Sequence, residues 1–268
     1  MVVWATTIGS VAGPNLAAPA GRLGERFGLP GQAGPYALAA LAFGLAAFGI
    51  FAGLRPDPLQ LVQEQKPAGT LAPDRSLGAA WSTLRTSRSG RVAVAAIVVS
   101  HSSMVALMSM TPVHLHHGGA TVTVVGVVIS LHIAGMYALS PLVGWLADQL
   151  GHVPVLLLGM AQLIAATALA GTSSAHDLGR LSAGLILLGT GWSCGLVAGS
   201  ALLTESVPVE GRTSVQGLSD LMMNGGGALG GVLAGLIVMM FSYAVLAGLI
   251  AAFVMPMMVI LFLARDSR

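Results

Sequence analysis

The chain of 268 residues is 55% hydrophobic and only 8% charged, and it contains 36 glycines. Soluble globular proteins are about 25% charged, so this composition excludes a soluble enzyme domain. The formal net charge of +2 is too small to indicate a nucleic-acid-binding protein, and disorder is excluded because it requires low hydrophobicity and high charge. The composition is typical of an all-α integral membrane protein.

Eight apolar runs of about 20 residues, the length that spans a bilayer, follow one another along the chain. They are continuously apolar and lack the alternation of barrel strands. The sequence therefore predicts eight transmembrane helices, at Val2–Gly21, Pro35–Leu54, Val92–Leu115, Val122–Leu142, Val153–Gly171, Leu181–Leu203, Gly217–Phe241 and Tyr243–Ala264.

The first run starts directly after Met1, with no charged residue ahead of it. A signal peptide would have a positive leader and a cleavage site, so we expect that translation begins late or that upstream helices are missing. Within the run, Gly9 and Gly13 have the spacing of close helix packing, and Pro14 bends a helix by removing a backbone donor. The pattern indicates either a helix that rocks against a neighbour or ordinary small-residue packing.

A polar connection at residues 55–91 separates two helices, in residues 1–54, from six helices, in residues 92–268. Its second half predicts a short amphipathic helix on the membrane surface, capped by Ser76 and followed by three arginines. The apolar face consists of Leu77, Ala80, Trp81 and Leu84, and the arginines are Arg85, Arg88 and Arg91. An unstructured basic linker is the alternative.

Lysine and arginine predict the orientation in the membrane, because they are concentrated in cytoplasmic loops. If the long connection is cytoplasmic, only Arg22, Arg26 and Arg180 lie on the opposite side. The cytoplasmic side then holds nine: Arg55, Lys66, Arg75, Arg85, Arg88, Arg91, Arg212, Arg265 and Arg268. We therefore expect a multi-pass protein of the cell membrane (plasma or inner) with both chain ends in the cytoplasm.

His101 and His132 fall near the middle of two consecutive predicted helices, which run in opposite directions. Both are therefore expected at the same depth, where secondary transporters bind substrates and coupling ions. A histidine has an unperturbed pKa of about 6.5, which suits proton exchange near neutral pH. They are candidates for a substrate or proton site, and the alternative is a neutral ring bonded to a hydroxyl or carbonyl within the bundle.

Other titratable residues near the ends of predicted helices have simpler interpretations. Asp220 lies about one turn into the seventh predicted run, where the helix dipole favours a carboxylate, so capping is expected ahead of a role in transport. His114, His116 and His117 end the third run, and they predict an interfacial cluster because a zinc site needs further fixed ligands. No metal site is predicted.

A second glycine-containing motif follows the fourth run. Asp148 stands between Gly144 and Gly151, so we expect it in a tight turn, either pairing with a nearby helix N-terminus or capping a helix. The motif reads Gly144-Trp-Leu-Ala-Asp148-Gln149-Leu-Gly151-His152.

The two motifs, in this order, resemble those of the major facilitator superfamily of secondary transporters. Residues 9–18 are similar to its antiporter motif, Gly-x-x-x-Gly-Pro-x-x-Gly-Gly, with alanines in place of the last two glycines. Residues 144–152 are similar to its loop motif, Gly-x-Leu-Ala-Asp-Arg-x-Gly-Arg, with Gln149 and His152 in place of the basic residues. The resemblance implies the last two helices of the family's first half and its complete six-helix second half.

This resemblance implies that the protein is a transporter and not an enzyme. It would move a small solute by alternating access without a cofactor, and the more specific expectation is proton-coupled efflux. The expected partners are the lipid bilayer, a small solute and protons, together with the missing N-terminal helices or another subunit. Two alternatives stay open. One is a truncated, transport-inactive membrane protein, and the other is an intramembrane metalloenzyme, for which the sequence lacks a His-Glu-x-x-His motif.

Overall fold

The helices are seen in a computed structural model that describes residues 2–55, 76–174 and 176–265. Within these ranges every regular element is helical. Short 3-10 turns at Gly31–Ala33 and Val209–Gly211 precede the second and the ninth α-helix. The α-helices are α1 (Val2–Arg26), α2 (Gly34–Gly53), α3 (Leu77–Thr86), α4 (Arg88–His117), α5 (Val122–Tyr137), α6 (Ser140–Leu150), α7 (His152–Gly171), α8 (Leu178–Glu205), α9 (Arg212–Met240) and α10 (Tyr243–Arg265).

Seven helical segments in the described residues are long and apolar enough to span a membrane. They confirm the predicted runs from the second to the eighth. At the first run the structure has α1, a helix of 25 residues that is not among the seven, so the predicted count of eight is not confirmed. The segments are Gly31–Gly53, Arg88–His117, Val122–Leu150, His152–Gly171, Leu178–Glu205, Val209–Met240 and Tyr243–Ala264.

The chain forms two compact units, one of residues 13–74 and one of residues 1–12 with 75–268. In the smaller unit, the end of α1 lies against the start of α2, where a methyl group at Gly24 would come within 3.0 Å of Gly34 Cα. A methyl group at Gly9 or Gly13 would meet no atom within 4 Å among the described residues, and the Pro14 side chain lies outside them. Close packing at this motif stays a prediction.

In the larger unit, α8 packs against α4, α5 and α7. Small residues allow these helices to approach closely. A methyl group at Gly191 would lie 3.0 Å from the Gly159 carbonyl oxygen of α7, and one at Gly199 would lie 2.6 Å from Ile97 Cγ1 of α4. Helices in lipid associate mainly through such close packing. Gly191 and Gly199 are therefore positions at which α7 and α4 pack closely on α8.

Helices α5 and α8 approach each other closely in the bundle interior. A methyl group at Gly135 would lie 2.7 Å from the Ile186 carbonyl oxygen, and one at Gly189 would overlap the His132 carbonyl oxygen. Each helix thus contributes one glycine to the contact. This approach places the His132 side chain beside the backbone of α8.

Pro141 interrupts the predicted fourth run. Proline has no N–H to donate to the carbonyl four residues earlier, which here is that of Tyr137. The Ser140 hydroxyl donates to this carbonyl instead, at 2.7 Å. Helix α5 therefore ends at Tyr137, and α6 continues the span.

The second glycine motif is mostly helical. Gly144 and Asp148 lie within α6, so the turn predicted for this motif is wrong for residues 144–150. Only Gly151 turns the chain into α7, with a φ of 84° that favours glycine. The reason is that a new helix, α6, begins at Ser140, next to Pro141, and extends to Leu150.

The amphipathic helix predicted after the long connection is present as α3. The Ser76 Oγ accepts a hydrogen bond from the Ala79 N–H at 3.2 Å, which is the predicted cap. Ala80 and Leu84 are buried, whereas Leu77 and Trp81 are exposed. Residues 56–75, the rest of that connection, lie outside the described residues.

We expect Gly189→Ala to destabilise the protein. The added methyl group forces α5 away from α8, and overpacking of this kind lowers the free energy of unfolding by about 1–3 kcal/mol. The thermal unfolding temperature of the detergent-purified protein should fall. Gly144→Ala is the matched control, because its methyl group meets no atom within 4 Å among the described residues; an equal fall in both variants would contradict the interpretation.

Candidate functional site

His101 lies near the middle of α4 and is half-buried. The Trp192 Nε1–H, on α8, donates a hydrogen bond to His101 Nδ1 at 3.0 Å. Nδ1 accepts this bond, so the ring is neutral in this geometry and its proton is on Nε2. The other edge of the ring faces α9, where a methyl group at Gly227 would come within 2.9 Å of Nε2.

Trp192 is held between two other aromatic rings. The Tyr137 ring, at the end of α5, meets it edge to face with centroids 5.7 Å apart. The His101 ring is tilted against it with centroids 6.3 Å apart. We call His101, Trp192 and Tyr137 the aromatic cluster. It joins α4, α5 and α8, and the helix break at Pro141 fixes the position of Tyr137.

A row of polar side chains lies on α9. Gln216 Nε2 donates to Asp220 Oδ1 at 3.1 Å, and Asn224 Nδ2 donates to the Asp220 carbonyl oxygen at 2.8 Å. Residues four apart share one side of a helix. We call these three residues the polar face of α9.

Asp220 does not cap a helix, so that prediction is wrong. The N-cap of α9 is Gly211, because the helix begins at Arg212, earlier than the apolar run suggested. Asp220 is therefore about 12 Å into the helix at about 1.5 Å per residue. It is exposed, and carboxylates within a span face the bundle interior or a water-filled cavity.

The polar face of α9 leads towards His101. At about 100° per residue, Asp220 and Gly227 differ by only about 20° around the helix axis, and Gly227 is the residue against which the His101 ring lies. Asn224 precedes Gly227 by less than one turn. The two sequence candidates thus share one side of α9: His101 lies against this side, and Asp220 projects from it.

His132 occupies a different place from His101. Its ring is buried on α5, and Nδ1 is 2.8 Å from the Leu185 carbonyl oxygen of α8. A carbonyl only accepts, so Nδ1 donates; Nε2 has no partner among the described residues. Leu185 and Trp192 are about 10 Å apart along α8, so the two histidines bond to separate points of that helix.

The remaining candidates lie at the ends of the bundle. Asp148 is exposed near the end of α6. His152 Nε2, at the start of α7, is 3.0 Å from Glu205 Oε2 at the end of α8. His114, at the other end, stacks on Tyr243 with centroids 4.4 Å apart. Among the described residues, no three His, Cys, Asp or Glu side chains are grouped to hold a metal.

The sequence did not single out three of these partners. Trp192 and Tyr137 lie in apolar helices, where aromatic residues are usually core, and Glu205 lies beyond the end of the predicted run Leu181–Leu203. The available signals were the single tryptophan in a glycine-rich helix and the proline four residues after Tyr137. Neither signal indicates which residue is the partner, because the contacts join residues that are far apart in sequence.

The sequence profile of the Major Facilitator Superfamily matches residues 92–268. The chain belongs to this superfamily. The matched region runs from near the start of α4 to the end of the chain and contains the aromatic cluster and the polar face of α9.

Two curated MFS-type transporters are similar over nearly the whole chain, and a third transporter is similar over about half of it. The uncharacterized MFS-type transporters YddS and YdeG of Bacillus subtilis are each 36% identical, over 92% and 95% of this chain. The chain spans 57% and 60% of their lengths. The riboflavin transporter RfnT of Brucella anthropi is 31% identical over 54% of this chain and 36% of its own. No solved structure matches the chain significantly.

We expect His132→Ala to reduce stability. The substitution removes the hydrogen bond to Leu185 and leaves a cavity between α5 and α8, where the helices pack closely. Together these changes lower the free energy of unfolding by at least about 1 kcal/mol. Thermal unfolding in detergent should show a lower midpoint. His117→Ala, at an exposed position, serves as the control and should unfold like the parent; an unchanged midpoint for His132→Ala would show that the bond to Leu185 contributes nothing.

Proposed function

We propose that this chain contributes the translocation path of a secondary transporter that moves a small solute across the cell membrane by alternating access. The observation that carries the proposal is the half-buried His101, which accepts a hydrogen bond from Trp192 and lies against Gly227, on the side of α9 that carries Asp220. Titratable side chains within membrane spans are costly, and they mark transport pathways. Membership of the superfamily supports the same reaction class.

His101 is the proposed proton carrier. Its Nδ1 cannot both bind a proton and accept the hydrogen bond from Trp192. Protonation therefore breaks the bond between α4 and α8 and frees the indole N–H. A proton on one ring thus changes how two helices are joined, which is what coupling to alternating access requires.

Asp220 is the proposed entry point for the proton or for a cationic part of the solute. Its carboxylate is exposed and is bonded only to Gln216 of the same helix among the described residues. A charge within a span that is satisfied by its own helix is free to bind a solute group without breaking the bundle. His132 is proposed to have a structural role, because its hydrogen bond to Leu185 joins α5 to α8.

The finer assignments are also part of the proposal. The partial antiporter motif in α1 favours efflux over uptake, and the distribution of lysine and arginine favours both chain ends in the cytoplasm. Further helices, or another subunit, complete the path opposite the polar face of α9. The curated relatives support this last point, because the chain spans about three fifths of their lengths.

Solute-driven proton flux tests the transport proposal. Protein purified from membranes is placed in proteoliposomes with an internal pH dye, and a panel of small solutes is added one at a time. We expect at least one solute to evoke proton flux, and His101→Ala and Asp220→Asn to lower it at least about tenfold. Since no described structural contact between helices depends on Asp220, Asp220→Asn should keep the parent's unfolding temperature.

His117→Ala is the matched control and should retain the flux. If no solute evokes flux from protein that unfolds cooperatively, the transport-inactive alternative is favoured. If flux occurs but persists in His101→Ala, the chain transports and the proton-carrier role of His101 is wrong.

The bond between Trp192 and His101 permits a second test that needs no solute. The chain has four tryptophans, and replacing Trp4, Trp81 and Trp145 by phenylalanine leaves Trp192 as the only emitter. Protonation of Nδ1 removes its hydrogen bond, so Trp192 emission should change reversibly when the pH is lowered. Adding His101→Gln should abolish the change, whereas adding His117→Ala should preserve it; a titration that survives His101→Gln would refute the assignment.

A further inference from the structure

Three exposed arginines lie together where α3 meets α4. They are Arg85 in α3, and Arg88 and Arg91 in the first turn of α4. The Arg91 guanidinium donates to the Arg85 carbonyl oxygen at 2.5 Å, which holds the end of α3 against the start of α4. We call these residues the arginine cluster.

The arginine cluster has no anionic partner among the residues that the structure describes. No ion pair involves it among the described residues, although Glu210 lies in the 3-10 turn that packs beside α3. The sequence from residue 76 to residue 147 contains no aspartate or glutamate. None of the acidic residues that the structure describes neutralises these three positive charges, so they can bind an external anion at the end of a membrane-spanning helix.

An apolar groove starts at the arginine cluster. A cavity of about 340 Å³ lies between α3, α4 and α9, and it is lined by Arg91 together with Trp81, Ala95, Val98 and Met222. Val98 also lines a second cavity of about 380 Å³, which continues along α4 to Ala106 between α9 and α10. The two cavities share Val98 and follow one another along α4 from Arg91; together we call them the groove.

The groove is long enough to cross one leaflet of a bilayer. Arg91 and Ala106 line its two ends on α4 and are about 22 Å apart at about 1.5 Å per residue, and half of the hydrocarbon core is about 15 Å. A phosphate bound at the arginines would leave room for one acyl chain to reach the middle of the membrane. Trp81 is 47% exposed at the head of the groove, the depth at which tryptophan is enriched.

We propose that this groove binds an anionic phospholipid, with its phosphate on the arginine cluster and an acyl chain along α4. Arginine pairs with phosphate through charge-assisted hydrogen bonds, and basic pockets between spanning helices suit anionic head groups. The site lies on the side of α9 that carries Met222, away from the side that carries Asp220. It is independent of the proposed proton path.

Native mass spectrometry of the full chain in detergent tests the site, with phosphatidylglycerol and phosphatidylcholine of the same acyl chains as probes. We expect phosphatidylglycerol to bind more tightly. The triple variant R85Q/R88Q/R91Q should lose affinity for it by about fivefold per arginine. The triple variant R22Q/R26Q/R180Q removes the same charge at other exposed positions and should keep the affinity.

A second pair of variants tests the acyl-chain part. Ala95→Trp fills the groove from an exposed position and should weaken phosphatidylglycerol binding at least about fivefold, whereas Ala252→Trp, on an exposed position of α10 outside the groove, should not. Millimolar inorganic phosphate should fail to displace the lipid. Equal binding of the two lipids, equal losses in the two triple variants, equal effects of the two tryptophans, or displacement by free phosphate would each overturn the proposal.

Discussion

The close approach of neighbouring helices to α8 is the constraint on which the bundle depends. Apolar side chains gain little by leaving lipid for a protein interior, so helices in a membrane are held by tight packing and by hydrogen bonds between them. Gly189 and Gly191 remove the side chains that would keep α5 and α7 away from α8. The bonds from His132 to Leu185 and from Trp192 to His101 then form across these short distances.

The contact between α4 and α9 separates two different surfaces. On one side of α9 stand Asp220 and Asn224, whose direction around the axis leads to the ring of His101. On the other side stand Met222 and Leu229, which line the apolar groove. Glycines of α9 such as Gly227 lie at the contact with α4. One segment of α9 thus supplies a polar surface, an apolar surface and, between these two surfaces, the close packing against α4.

Much of the fold could be predicted from the sequence, because spans depend on local composition alone. Seven predicted runs are confirmed, and so is the Ser76 cap, which depends on neighbours three residues apart. The errors at Asp148 and Asp220 have one cause: helices continue beyond the apolar core of a span, and apolarity says nothing about where the backbone stops being helical. The site was predictable only in part, since the sequence indicates the depth of His101 but not its bond to Trp192.

The buried Cys194 gives the bundle a property that is useful in the laboratory. It is the chain's single cysteine, it is 1% exposed, and its thiol lies 3.6 Å from Gln162 Oε1 of α7. Gly159 lets α7 press against it, so alkylating reagents reach the sulfur only when α7 and α8 separate. The wild-type chain is therefore a silent background for labels placed on introduced cysteines, and slow modification of Cys194 itself measures how often this pair of helices opens.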